Sequence, residues 1–211
     1  MKKATTALLL TFALAGTACD NDPVGDAPQV SAQAPVEKKS QAAQPAAEVV
    51  YELNSDNSDF NFVGAKITAK HPGSFEKLDG KITVVDGSVE KSSVEVNIDM
   101  ASLSIEPKKL DGHLRSGDFF DIEKFPKAHF ESTTIDKSED GTYLVTGNLT
   151  LRGTKKSISF PAKISLGDDS VSVSAKFGIN RKDFGIVYPG MPDDLIKDEV
   201  LIDLRLDPKK S

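Results

Sequence analysis

Beyond Tyr51 the chain repeatedly places apolar residues at every second position. Val94, Val96, Ile98 and Met100 alternate with Glu95, Asn97 and Asp99. Ile158, Phe160, Ala162, Ile164 and Leu166 alternate with Ser157, Ser159, Pro161, Lys163 and Ser165. Val171, Val173, Ala175, Phe177 and Ile179 repeat the pattern, as do Val200, Ile202, Leu204 and Leu206. Successive side chains of a strand point to opposite faces, so each run predicts a strand with one dry and one wet face. Shorter runs of the same kind start at Phe60, Lys81, Ala128 and Tyr143, which makes eight predicted strands. Asp86-Gly87, Asp140-Gly141 and Gly167-Asp168 mark turns. No stretch between strands is long enough for a crossover helix, so the sheet is expected to be antiparallel. Eight one-sided strands close into a barrel or split into a sandwich; a barrel has no edges and can hold one small ligand. Pro161 cannot donate to a ladder and so predicts an edge or a bulge within its run.

The N-terminal quarter has a different texture. Lys2 and Lys3 precede a mostly apolar run, residues 4–15, which is too short to span a bilayer. Gly16, Thr17, Ala18 and the only cysteine, Cys19, follow. This arrangement resembles a bacterial lipoprotein signal, in which the cysteine becomes the lipidated first residue. Gly16 stands where that pattern usually has Leu. Gly16 and Ala18 also fit ordinary signal peptidase, which would cut at the same bond. Residues 1–18 are therefore expected to be a signal peptide, and Cys19 a lipid attachment site. Residues 19–49 are rich in Ala, Gln, Pro and Ser without periodicity, and are expected to form a disordered tether. About 30 residues of such chain span roughly 30 Å as a flexible coil.

Charge and composition narrow the partners. The 26 basic and 32 acidic residues give a net charge of −6, and removal of Lys2 and Lys3 makes it −8. That balance argues against nucleic acid, whose phosphates select basic surfaces. A single cysteine excludes an internal disulfide framework.

Four stretches carry a family resemblance: "GSFEKLDGKI" from Gly73, "VNIDMASLSIEPKKLDGHLRSGDFFDIEKFPKAHFEST" from Val96, "VTGNLTLRGTKKSISFPAKI" from Val145 and "FGINRKDFGI" from Phe177. They resemble the YceI family of lipid- and polyisoprenoid-binding proteins, over residues 50–207. The resemblance implies an all-β fold: an antiparallel, eight-stranded, lipocalin-like barrel with a short helical cover. It implies a function too, which is to hold a long isoprenoid chain, such as that of a quinone or a prenyl phosphate, inside the barrel. No other cofactor is expected. Many members carry a His-Ser pair at the start of the first strand, where this chain has Asn57 and Ser58.

Within that frame the segment 107–125, too polar for a core strand and too apolar for an ordinary loop, is expected to be the cover. Asp111 would cap the turn holding His113 and Leu114, and Pro126 would end it. Leu114, Phe119, Phe120 and Phe125 would close one end of the barrel, or simply pack beneath a long loop. The inward residues of the strands are expected to include Phe62, Val96, Ile98, Phe130, Leu149, Leu151, Phe160, Ile164, Phe177 and Ile179. Arg115, Arg152, Arg181 and Lys182 are the candidates for contact with a head group.

Catalytic chemistry is sparse in the sequence. His71, His113 and His129 have no metal-ligand spacing such as H-x-x-x-H. His71, before Pro72-Gly73, reads as a turn residue, and His129 as a solvent-facing strand residue. "DFG" at Asp183 lacks the Gly-rich and catalytic loops of a kinase. The "NLT" sequon at Asn148 falls within a predicted strand. No strained elbow presents a nucleophile. The sequence therefore favours a non-enzymatic lipid-binding module in the bacterial envelope, anchored to a membrane facing the periplasm. The alternative is an envelope interaction protein with a filled barrel. The volume inside the barrel separates the two.

Overall fold

The computed structural model describes residues 21–37, 47–192 and 194–210. The predicted signal peptide and Cys19 lie outside them. In chain order the strands are β1 (Gln29–Val30), β2 (Glu48–Leu53), β3 (Ser58–Ala65), β4 (Lys70–Phe75), β5 (Leu78–Val85), β6 (Ser88–Asp99) and β7 (Leu103–Ile105). Helix α1 (Lys108–Arg115) follows, then β8 (Lys127–Lys137), β9 (Tyr143–Leu151), β10 (Thr154–Leu166) and β11 (Val171–Asn180). A short hairpin, β12 (Gly190–Met191) and β13 (Asp194–Leu195), precedes β14 (Glu199–Leu206).

All strands but that hairpin join one sheet, in the order β2-β5-β6-β8-β9-β10-β11-β14-β3-β4-β7, with β1 added beside β11. Each neighbouring pair on this path is antiparallel. The expected eight strands are all present, and the fold is the all-β, lipocalin-like curl with one short helix. Chain corners close the ring. β4 passes into β5 through Glu76 and Lys77, and β6 passes into β7 through a 3₁₀ turn at Met100–Ser102. The bonds from Glu76 N to Ser102 O (3.1 Å) and from Asp99 N to Lys77 O (3.0 Å) carry the pairing around the bend. The β5–β6 turn is Asp86-Gly87, both residues left-handed, as a two-residue hairpin of this twist requires.

Pro161 sits where β10 parts from β11. Their ladder starts at Ala162↔Ala175 and runs only to Leu166↔Val171. Above that point β10 keeps β9 alone, so the proline lies beside a split seam, as its missing N–H demands.

Residues 21–37 fill this seam, which corrects the expectation that the whole of 19–49 lacks structure. β1 runs parallel to β11 through Gln29↔Gly178 and Val30↔Ile179. Gln33 and Ser157 exchange both backbone bonds, at 2.8 and 3.0 Å. The Asn148 side chain then clamps Val36, accepting from its N–H (2.9 Å) and donating to its carbonyl (2.7 Å). Val24 is buried against Gly178, where a Cβ would lie 2.7 Å from a Val24 methyl. A polar, Pro-rich segment needs no core of its own when an existing sheet supplies the hydrogen bonds and the pocket.

The lower part of the barrel is packed solid. Ile82, Val84, Val94, Ile135, Val171 and Val173 meet there, each at most 7% exposed. They leave only about 10 Å³ between them, less than or about what one water needs.

Candidate functional site

The upper part of the barrel is hollow. A cavity of about 180 Å³ lies under the helical cover, roughly ten times or more what one water requires on the same measure. Its wall is almost wholly apolar. From the strands come Phe62, Val96, Ile98, Phe130, Leu149, Leu151, Phe160, Phe177 and Ile179, all on the inward register of their runs. The cover contributes Leu114, Phe119 and Phe120. Two of the fourteen expected residues stand elsewhere. Ile164, further down β10, lines the small void of the filled end. Phe125 packs outside the cavity against Gly153 of the β9–β10 turn, where a Cβ would lie 2.5 Å from its ring. Alternation fixes which face a residue takes but not its height along the barrel, and this is why Ile164 was misplaced.

Aromatic rings shape the wall in two groups. Phe160 stacks on Phe177 at 4.2 Å and tilts against Phe130 at 5.6 Å. Opposite them Phe75 meets Phe60, Phe62 and Phe120 at 5.6 to 5.9 Å. Phe60 and Phe75 also line the cavity and were missed: one is the opening residue of a short strand run, the other lies in a strand hidden by Pro72-Gly73. His71 belongs to that same strand, β4, rather than to a turn, and it too lines the cavity. Pro72 is tolerated because the β4–β7 ladder begins only at Gly73.

The cover is α1 followed by tight turns to Pro126. Asp111 does not cap it; it pairs with Arg115 one turn on, at 2.6 Å, while Pro107 starts the helix without a side-chain cap. Arg115 also donates to the carbonyls of Ala101 and Leu103, which ties the helix to β7. Arg152 donates to the carbonyls of Gly117 and Gly185, both at 2.6 Å, so it staples the cover to the opposite wall. Tyr188 meets His113 edge-to-face (4.9 Å) and Phe119 at a tilt (5.5 Å) and extends the lid. Of the expected head-group residues, Arg115 and Arg152 thus serve as staples, and Lys182 pairs with Asp198 at 2.7 Å. Only Arg181 reaches the cavity wall, and it is buried, bonded to Asp198 and to the carbonyls of Ile186, Ile196 and Lys197. Burial pushes its guanidinium below the usual value, and the Asp198 charge opposes that.

The cations that border the cavity do not make its wall polar, since Lys66 is paired with Asp194 and Arg181 with Asp198. Lys66, His71, His129, Arg181 and Lys197 are its ionisable lining residues, and no carboxylate is among them. His129 lies on the outer face of the sheet, as read from the sequence: it stands across from Asn97, between the inward Ala128 and Phe130, and is half-buried. Asn97 donates to Asp79, so its oxygen faces the ring, and His129 Nδ1 donates to it at 2.8 Å. The rim itself is two segments, the β3–β4 turn and the β12–β13 hairpin. The Asp194 carboxylate joins them, accepting from Thr68 Oγ1 (2.9 Å) and pairing with Lys66 (3.2 Å). The Thr68 hydroxyl foremost, and Lys66 with it, hold that carboxyl below the usual carboxylate range.

Comparison with known proteins places this architecture. The model of the YceI-like domain matches residues 51–207. A UPF0312 protein of Pseudomonas putida strain W619 is 36% identical over 124 residues, 56% of this chain and 65% of that protein. One from Serratia proteamaculans is 39% identical over 120 residues, covering 54% and 62%. The chain thus aligns with a little under two thirds of those relatives' length. Among solved structures, Burkholderia cenocepacia BcnA superposes with a TM-score of 0.64 at 23% identity, covering 71% of this chain and 95% of that one. A polyisoprenoid binding domain from Saccharophagus degradans superposes with a TM-score of 0.62 at 18% identity, covering 78% and 100%. A Campylobacter jejuni YCEI protein gives a TM-score of 0.55 at 25% identity, covering 66% and 84%.

Proposed function

The chain belongs to the YceI-like family, and on that premise we propose that it carries or stores a long-chain isoprenoid, or a similar single-tailed amphiphile, in the bacterial cell envelope. The hollow upper barrel is the observation that carries this reading: about 180 Å³ of apolar-walled space beneath the helical cover. The Saccharophagus neighbour, described as a polyisoprenoid binding domain, supports the same ligand class. Branched and aromatic walls suit a methyl-studded tail. A filled barrel acting only through its outer surface has no use for such a void.

Energetics constrain what selects the ligand. Moving a tail out of water would gain about 0.8 kcal/mol per methylene. Such a ligand, however, resides in a bilayer that is as apolar as the barrel, so tail burial is nearly neutral. Selectivity then rests on tail shape and on the few polar contacts at the mouth.

The test is solvent extraction of the purified protein followed by mass spectrometry. A long-chain amphiphile is expected in near-stoichiometric amount. Val96→Trp fills the cavity from its wall and should abolish the bound lipid while leaving the unfolding midpoint nearly unchanged. Parent protein free of lipid, together with strong destabilisation by Val96→Trp, would leave the interaction-protein reading in its place.

A further inference from the structure

Seven large apolar side chains stand exposed among the described residues, and four of them, Ile67 (52%), Val187 (62%), Met191 (59%) and Leu195 (45%), lie on the rim of the cavity mouth. Ile67 N donates to Leu195 O at 3.1 Å, and Met191 pairs with Asp194 in the same hairpin, so three of the four share one corner. The Asp194 ties to Thr68 and Lys66 hold that corner in place. Its apolar exposure is thus part of the fold and not a frayed end.

We propose that this rim docks on the surface of a lipid bilayer, with the cavity mouth facing the membrane. Three observations favour that occupant over another protein. First, the apolar cavity extends to the rim, where Ala65, Lys66, Ile186, Ile196 and Lys197 are among its lining residues. A water-filled gap at that point would break the apolar path for any tail that enters. Second, the rim lysines carry their own counter-ions, Lys66 with Asp194 and Lys182 with Asp198, so the exposed apolar residues can enter the head-group boundary without an unmatched charge from either lysine. Third, the described chain starts on this rim: Asn21 Nδ2 donates to Ile67 O at 2.7 Å. Cys19 is two residues upstream, and two residues reach at most about 7 Å. A lipid on Cys19 would hold this face, and no other, against the membrane. The inference deepens the lipid-binding reading by naming where the ligand enters, but docking is measurable without any ligand.

The absence of tryptophan makes the test clean. The exported full chain carrying Cys19→Ser, which removes the anchor, receives a single reporter: Met191→Trp on the rim, or Leu144→Trp, an exposed site on β9 away from it. Each is mixed with vesicles of phosphatidylethanolamine and phosphatidylglycerol, with and without brominated lipid. The rim reporter should shift to the blue and be quenched by bromine, and the β9 reporter should do neither. Adding Ile67→Asp to Met191→Trp should weaken vesicle binding roughly tenfold or more. No response of the rim reporter to vesicles, or equal responses of both reporters, would overturn the proposal. So would a blue shift without vesicles that grows with protein concentration, because the rim would then join two copies of the chain. A protein that docks but yields no extracted lipid would keep this proposal and remove the ligand.

Discussion

Phe160 stands at the floor of the hollow half, and it separates the two regimes of the barrel. One face stacks on Phe177 and the other borders the cavity. Below it on the same strand come Ala162 and Ile164, the latter already at the filled end. Removing a ring that borders a void leaves less new empty space than removing one sealed on all sides. Phe160→Ala is therefore expected to cost about 2 kcal/mol in the ligand-free protein, short of the roughly 3–5 kcal/mol for a sealed phenylalanine. Phe184, fully buried, is the sealed comparison, and Phe184→Ala should fall in that higher range. Urea unfolding of the two variants checks this; equal losses would mean that the cavity wall is as tightly packed as a core. The inward direction of Phe160 and its neighbours was readable from strict alternation. The roles of Arg115 and Arg152 were not, because their carbonyl partners come from turns more than ten residues away.

The eight alternating strands were legible because each has one wet and one dry face. Three further barrel strands were not. β2 starts inside a stretch whose composition looks unstructured, β4 contains Pro72-Gly73, which reads as a turn, and β7 is three residues long. The seam segment was hidden most thoroughly, since its hydrogen-bonding partners lie on strands over a hundred residues away in sequence. Asn148 is its main side-chain clamp. The same residue opens the "NLT" sequon, yet it is 5% exposed with both amide functions committed to Val36. Asn148→Ala removes the clamp and leaves the β8–β9–β10 ladders in place. Limited proteolysis within residues 21–37 should then accelerate about tenfold or more, while the barrel loses only about 1–2 kcal/mol. A variant cleaved at the parent rate would show that the backbone pairs at Gln29, Val30 and Gln33 suffice.

Cleavage at Cys19 would leave only Asp20 between the modified residue and the first described position, Asn21, and the seam segment follows at once. With 21–37 fastened to the barrel, the long flexible stand-off expected from composition is not available there. We predict that Cys19→Ser moves the protein from the membrane fraction to the soluble fraction of the native host, and that intact mass shows the parent bearing acyl chains. An unmodified Cys19 in the parent would remove the anchor. The order of synthesis adds a constraint of its own. Of the described residues, 21–37 are made first, yet they join β10 and β11, more than a hundred residues downstream, between strands that must already be laid side by side. The first part of the domain to leave the ribosome is therefore the last to find its place. Until it does, β10 and β11 present open backbone edges to any neighbouring chain, and a newly made molecule is most prone to aggregate in the interval just before residues 21–37 close the seam.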